Sequence, residues 1–301
     1  MNAANKKPKL LVIVGPTASG KTGLAIKLAK QFKGEVVSAD SRQVYRGLDI
    51  GTAKVTREEM DGVPHHLIDV ADVDTIYTAA DFKRDATAAV EAILERGNLP
   101  IIAGGTFFYV DTFLGKVTTP HIKPNPELRE ELEQKDVAEL HRRLTNKDPR
   151  RAAEIDPHNK RRLIRALEII HDLEYVPPAE PLEPAYDVLT IGITTEKEVL
   201  REKFAARAQE WLSGGFQNEV TQLLKNGVSR ERLQEIGFEY QLMLEYIDGN
   251  LTKETFVEKF IQKNWQYAKR QLTWLKRDNT IHWFEKDDPA IIATIKTWLE
   301  N

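Results

Sequence analysis

The chain has 301 residues, a prior of about two domains at roughly 150 residues each. At that length it can bury about three quarters of its unfolded surface without a disulfide or structural metal. With 41% hydrophobic and 30% charged residues it is too apolar for a disordered chain, and no apolar run approaches the ~20 residues that cross a bilayer. It contains no cysteine, which excludes disulfide scaffolds, thiolate zinc sites and cysteine nucleophiles and fits the cytoplasm. The basic leader meets a short apolar run that ends in Gly15-Pro16 without a small-residue cleavage site, so neither a signal peptide nor a membrane is expected.

The net charge of −3 rules out a uniformly basic coat for nucleic acid, but it hides an asymmetry. Residues 141–165 carry +6 and residues 263–278 carry +4, leaving −13 on the remainder. Two basic segments on an acidic chain suggest a localised polyanion site; solvated helix faces are the plainer alternative.

In chain order, Leu10–Val14 is an apolar β-branched run, as in a strand buried on both faces. A helical pattern (Leu24, Ile26, Leu28, Ala29) follows, stopped at Gly34, and Val36–Ala39 reads as the next strand. This is a βαβ unit. Further strands are predicted at His66–Val70, Pro100–Ala103 and Val188–Ile193, with an amphipathic helix over Ala79–Arg96 closed by Gly97. The alternation predicts an α/β fold on a mainly parallel sheet. From Pro120 to Pro184 the strand signal gives way to helices at Pro126–Gln134, Asp136–Leu144 and Lys160–Leu173. The segment Pro177–Pro184 reads as a semi-rigid linker. Because a strand returns at Val188, residues 120–184 read as an all-helical insertion in a core of residues 1–119 and 185–301. The stretch from Glu196 to Glu300 reads as mostly helical.

Gly15-Pro16-Thr17-Ala18-Ser19-Gly20-Lys21-Thr22 matches G-x-x-x-x-G-K-[ST] between a buried strand and a helix. Glycines let backbone amides face a phosphate, and the helix N-terminus adds donors and a favourable dipole. Lys21 brings charge to the terminal phosphates, and the Thr22 hydroxyl is the usual ligand for Mg²⁺. Asp40 ends the second strand, on the face where open α/β sheets bind ligands. There it can accept a proton or coordinate Mg²⁺; a turn or cap aspartate is the alternative. Gly104-Gly105-Thr106 ends another strand and permits close approach of backbone to ligand, or is a plain turn. Asp69 is a weaker second metal-ligand candidate. His65-His66 lacks zinc-like partners and is read as structural.

GPTASGKT, SADSRQVYRGLDIGTAK (38–54), PHHLID (64–69), GGT (104–106), RRLIRALEI (161–169) and AKRQLTW (268–274) run in the order found in bacterial tRNA dimethylallyltransferases, also called tRNA isopentenyltransferases. The chain resembles that family along essentially its whole length. The resemblance implies a P-loop NTPase-like core with a helical insertion that grips the tRNA anticodon stem-loop. It implies Mg²⁺, and transfer of the dimethylallyl group of dimethylallyl pyrophosphate to N6 of the adenosine 3′ of the anticodon. Asp40 then resembles the base at N6, Thr106 a residue beside the reacting centre, and Arg207 the arginine facing pyrophosphate. Asp40, Ser41, Arg42, Gln43 and Thr106 resemble tRNA-contacting residues, as do Arg161, Arg162, Leu163 and Arg165, with Lys269 and Arg270 in the second basic segment. A monomer is expected.

The sequence departs from the family pattern at Phe107-Phe108, where Gly-Leu is usual and which implies a narrower prenyl pocket. It departs also at Lys203 for arginine, Trp211 for methionine and Phe238 for tyrosine. Arg161, Arg162 and Arg165 fall on one helix face, opposite Leu163, Leu167 and Ile170. In the C-terminal helix Trp265, Ala268, Leu272 and Leu275 form an apolar stripe, with Arg270, Thr273 and Arg277 on the other side. A nucleoside or nucleotide kinase would use the same loop and Asp40, but has no need of AKRQLTW. A non-catalytic RNA-binding P-loop module leaves Asp40, Thr106 and Arg207 without common purpose. A prenyltransferase acting on free adenine nucleotides has no need of the basic insertion.

Overall fold

The computed structural model describes residues 6–117, 120, 122, 125–178, 183 and 185–301. Most of the Pro177–Pro184 linker lies outside the described residues. The elements are β1 (Lys9–Val14), α1 (Lys21–Phe32), β2 (Gly34–Ser38), α2 (Arg57–Met60), β3 (His65–His66), α3 (Ala79–Glu95), β4 (Leu99–Ala103) and α4 (Phe107–Phe113). Four helices follow: α5 (Pro126–Glu133), α6 (Val137–Lys147), α7 (Pro149–Glu154) and α8 (Lys160–Leu173). The chain closes with β5 (Asp187–Thr194), α9 (Lys197–Ser213), α10 (Phe216–Lys225), α11 (Arg230–Ile236), α12 (Phe238–Ile247), α13 (Lys253–Leu275), β6 (His282–Glu285) and α14 (Ala290–Glu300). They form two compact units, Met1–Leu114 with Glu183–Asn301, and Gly115–Leu182.

The first unit holds a six-stranded parallel sheet in the order β3-β2-β4-β1-β5-β6. Along β1, Leu10, Val12 and Val14 join one hydrophobic cluster and Leu11 and Ile13 another. Both faces are covered, which is why the strand is apolar throughout. The chain runs from β1 outward to β2 and returns through β4, then leaves on the opposite side of β1 to β5. The loops after β1 and β4 therefore diverge, and a crevice opens at their carboxyl ends. Gly15–Gly20 follows β1, Asp40 follows β2, and Gly104–Thr106 follows β4.

Four local expectations change. Gly34 does not cap α1; Lys33 takes the left-handed position with φ 52°. Gly34 opens β2 instead, where a Cβ would come within 2.9 Å of Leu99 O and the Ile101 side chain. β3 is two residues rather than the expected His66–Val70, because Leu67 and Asp69 have φ of 62° and 56°, incompatible with an extended strand. The helix α7 is additional, with Asp148 capping the Arg151 amide and proline at its first turn. So is β6, a four-residue strand within the C-terminal stretch.

The second unit is four helices around Leu132, Leu140, Leu144, Leu163, Leu167 and Ile170. Buried Glu168 is its polar knot, accepting from the Arg129 guanidinium at 2.7 and 2.9 Å and from the Asn125 amide at 3.0 Å. Those donors hold its carboxyl below the usual range although burial alone would raise it.

Candidate active site

The phosphate loop turns through Gly15, Ala18 and Gly20, the last at φ +90° where α1 begins. Lys21, one residue into the helix, is 8% exposed and donates to Pro16 O at 2.7 Å, tying the ammonium across the loop. Burial pushes it down from 10.5 to about 8, with Asp40 opposing and Arg207 assisting. Thr22 is exposed at the loop's mouth. Ser19 is buried, and its hydroxyl has no partner among the described residues.

Asp40 sits in a tight turn. Its Oδ1 accepts from the Arg42 amide at 2.9 Å and the Gln43 amide at 3.3 Å. Thr106 pins that turn to the end of β4, accepting from the Ser41 amide at 2.9 Å and donating to the Ser41 hydroxyl at 3.2 Å. The two strand ends are close because residue 104 has no side chain: a Cβ there would stand 2.2 Å from Ala39 O. Gln43 is anchored to the Thr52-Ala53 turn, donating to Ala53 O at 3.1 Å. Arg42 pairs with Glu239 at 2.5 Å.

A cavity of about 120 Å³ brings these groups together, lined by Thr17, Lys21, Thr22, Asp40, Gln43, Gly104, Gly105, Arg207, Tyr267 and Gln271 among others. Val36, Val55, Ile68 and Ala103 give it an apolar wall. A second, smaller cavity of about 50 Å³ lies against Ser41, Arg42, Trp211, Glu239 and Asn264. The two share Thr17, Asp40, Thr52, Ala53, Arg207 and Tyr267. Asp40 and Arg207 thus stand where two chambers meet. Burial pulls the Arg207 guanidinium down, opposed by the charges of Glu239 and Glu210; it lies 5.9 Å from the Trp211 ring. An open groove of about 820 Å³ reaches Lys21, Thr22 and Arg207 from outside, with Lys203 on its wall. Lys203 donates to Ala18 O at 3.2 Å, so the lysine that replaces arginine still touches the loop.

Other residues fall elsewhere. Thr106 is turned to Ser41 and lines neither cavity. Phe107 and Phe108 line neither as well, so they do not narrow the chamber: Phe107 is in the core and Phe108 is 40% exposed. Asp69 is bound to Lys54 at 2.6 Å, outside both cavities, and is no partner to Asp40. Lys269 and Arg270 are exposed on α13, with the Arg270 guanidinium 5.9 Å from the Tyr267 ring. In the second unit Arg161 and Arg162 are exposed. Leu163 is fully buried in that unit's core. The Arg165 guanidinium is engaged by Ile122 O at 2.8 Å and Glu168 at 3.4 Å.

Sequence reasoning missed two groups. Gln271, 4% exposed, accepts from the Thr17 amide at 2.8 Å and donates to Gly105 O at 2.9 Å. It clamps the phosphate loop to the β4 loop from α13. Its signal was a polar side chain on the buried 264-268-271-275 face of that helix. His65 lines the main cavity while His66 bonds Glu35 at 2.7 Å outside it. The His65 Nδ1 meets Val63 O at 2.9 Å, its buried Nε2 has no partner among the described residues, and burial lowers its pKa. It is a polar group in the cavity wall, tied to the backbone on one side.

Residues 43–278 match the model of the family described as IPP transferase. The chain is similar to a tRNA dimethylallyltransferase of Halalkalibacterium halodurans, 42% identical over 94% of this chain and 92% of that one. It is similar to one of Thermomicrobium roseum, also 42% identical, over 99% and 92%. Among solved structures it resembles a full-length tRNA isopentenylpyrophosphate transferase of Bacillus halodurans (TM-score 0.71, 40% identity, 98% and 96% covered). It also resembles a eukaryotic dimethylallyltransferase acting on tRNA (TM-score 0.79, 28% identity, 94% and 75% covered).

Proposed function

The chain belongs to the IPP transferase family and is a transferase acting on tRNA, and we propose that its two joined chambers carry out the transfer. Dimethylallyl pyrophosphate enters with its pyrophosphate on the phosphate loop and its prenyl group against Val36, Val55 and Ile68. The adenosine 3′ of the anticodon enters from the side of Ser41, Arg42 and Asn264. The supporting observation is the position of Asp40 and Arg207 on both chambers, with Lys21 on one.

Adenine N6 is a poor nucleophile because its lone pair is delocalised into the ring. The allylic carbon compensates by supporting positive charge, provided the leaving group is neutralised. Lys21 and Arg207, both poorly solvated, stabilise the charge that grows on pyrophosphate as its C–O bond breaks. The N6 lone pair forms the new C–N bond, and the N6 proton passes to Asp40, whose second carboxylate oxygen is free of the turn's amide bonds. Adenine must leave the loop stack to enter, at a cost of a few kcal/mol. We also propose Mg²⁺ as cofactor. Among the described residues no group of three His, Cys, Asp or Glu side chains is placed to hold a metal. A hydroxyl at the loop's mouth suits Mg²⁺, which binds through few protein oxygens together with substrate phosphates. Thr22 would hold it, and the ion would add positive charge to the leaving group. The exposed Arg161 and Arg162 face of the insertion is proposed to bind the anticodon stem-loop, with the enzyme acting as a monomer in the cytoplasm.

The test is mass spectrometry of tRNA nucleosides after incubation with dimethylallyl pyrophosphate or, separately, ATP. N6-dimethylallyladenosine next to the anticodon, formed only with the first, is the expected product. Phosphorylated product from ATP overturns the assignment.

A further inference from the structure

Tyr267, Arg270, Trp274 and Arg277 recur at i, i+3, i+7 and i+10 along α13 and its end, and so share one face. Tyr267 lines both chambers. The Arg270 guanidinium lies 5.9 Å from its ring, and that of Arg277 lies 5.5 Å from the Trp274 ring. The Trp274 indole is fixed by its N–H, which donates to Asp111 at 2.6 Å. Phe108 stands edge-on beside it, ring centres 6.4 Å apart and planes at 87°. Phe108 is exposed while its neighbour Phe107 is buried, and it lies two residues past Thr106. The transfer chemistry uses none of Phe108, Trp274 or Arg277.

Aromatic and guanidinium groups alternating outward from the chambers that Tyr267 lines make the surface that holds unpaired nucleotides. Bases stack on the rings and phosphates meet the cations, without base-specific hydrogen bonds. Helix rise places Trp274 about 10 Å from Tyr267, within reach of the next nucleotide of the same strand. A paired base is already stacked in its own helix and offers no free face. We infer that Phe108 and Trp274 form a stacking platform for an unpaired nucleotide adjacent to the adenosine that enters the chamber, with Arg270 and Arg277 on its backbone. The inference rests on the tRNA reading above and adds the stacked neighbour to it.

The experiment compares wild type with Phe108→Ala on anticodon stem-loop RNAs that are intact, or abasic on the 5′ or the 3′ side of the target. Single-turnover rates are read at saturating dimethylallyl pyrophosphate. With wild type, one abasic substitution should lower kcat/KM for RNA about tenfold, the scale of one base–aromatic stack. Phe108→Ala should show a similar loss on intact RNA and no further loss on that abasic RNA, with KM for the pyrophosphate unchanged. Phe108→Trp should restore the rate, and thermal melting of each variant controls for folding. Arg277→Ala should flatten the salt dependence of RNA binding by about one slope unit. Equal abasic penalties in wild type and Phe108→Ala, or none at either position, overturn the platform. Absence of any transfer by wild type to intact RNA overturns the functional reading itself, which the wild-type reaction reports separately.

Discussion

Lys21 and the pair Arg161–Arg162 carry the same charge and do opposite things with it. Lys21 is buried, tied to Pro16 O, and held down to about 8. Arg161 and Arg162 stand in solvent with no ion pair among the described residues. A charge stripped of water acts strongly on whatever enters beside it, whereas an exposed one is screened and works mainly in number. The comparison extends within each basic segment. Arg143 is paired with Glu131 and Glu139, which lie outside residues 141–165, while Arg150 and Arg151 share Glu154, which the +6 already counts, so ion pairing offsets only part of that charge.

The largest effect should come from the carboxylate that faces these buried cations. Asp40→Asn keeps the shape of the turn but removes the proton acceptor. The chemical step should fall by about two to four orders of magnitude, with little change in affinity for either substrate. A Mg²⁺ titration of single-turnover rate decides the role: rescue at high Mg²⁺ would make Asp40 a metal ligand instead. Lys21→Ala comes next, at about 10²–10³-fold on transfer, with circular dichroism unchanged. Activity within about tenfold of wild type would put Lys21 in the same class as a surface charge and remove the distinction.

The lowered pKa of Lys21 sharpens the contrast further, because it sets activity and stability in opposition. As pH rises through about 8 the free enzyme loses the ammonium, so kcat/KM for the pyrophosphate substrate should fall. Bound pyrophosphate favours the charged form, so kcat should persist to higher pH. Between about 8 and 10.5 the unfolded chain binds the proton that the folded one has released, so this group adds stability as pH rises through that window. Paired rate and melting profiles, with Lys21→Met as control, test both signs. An alkaline limb in kcat/KM that survives in residual Lys21→Met activity would assign it to another group.

The sheet, the phosphate loop and Asp40 were legible because each rests on local chemistry: an apolar β-branched run, a glycine-rich turn and a carboxylate at a strand end. Features set by distant partners were not. Gln271 takes its role from Thr17 and Gly105, which lie 254 and 166 residues away, and nothing in its own neighbourhood names them. Thr106 resembles a residue beside the reacting centre, and what its sequence does not name is the partner: its hydroxyl bonds Ser41, where it holds the Asp40 turn in place. β3 is shorter than its sequence suggests: apolar Leu67 and Ile68 look like strand, whereas the positive φ at Leu67 depends on the tertiary turn. Adjacent histidines on a strand point opposite ways, so His66 bonds Glu35 while His65 faces the cavity.

The smallest effects belong to the exposed charges, and there the structure separates residues that the sequence grouped together. Arg161 and Arg162 hold no ion pair among the described residues, so replacing both by Ala should leave melting of the insertion within about 0.5 kcal/mol of wild type. The salt dependence of tRNA binding should flatten by about one slope unit for each phosphate no longer neutralised, and the affinity for dimethylallyl pyrophosphate should not change. Arg165→Ala should behave in the reverse way. Its guanidinium satisfies Ile122 O and shares Glu168 with Arg129, so the loss should appear in thermal stability first. Because Arg129 still holds Glu168 in two places, the cost should stay at about 1–2 kcal/mol rather than that of a bare buried carboxylate. Equal salt slopes for wild type and the Arg161, Arg162 double variant would leave those arginines as solvated charge. A flattened slope for Arg165→Ala without loss of stability would show that its partners release it to the RNA.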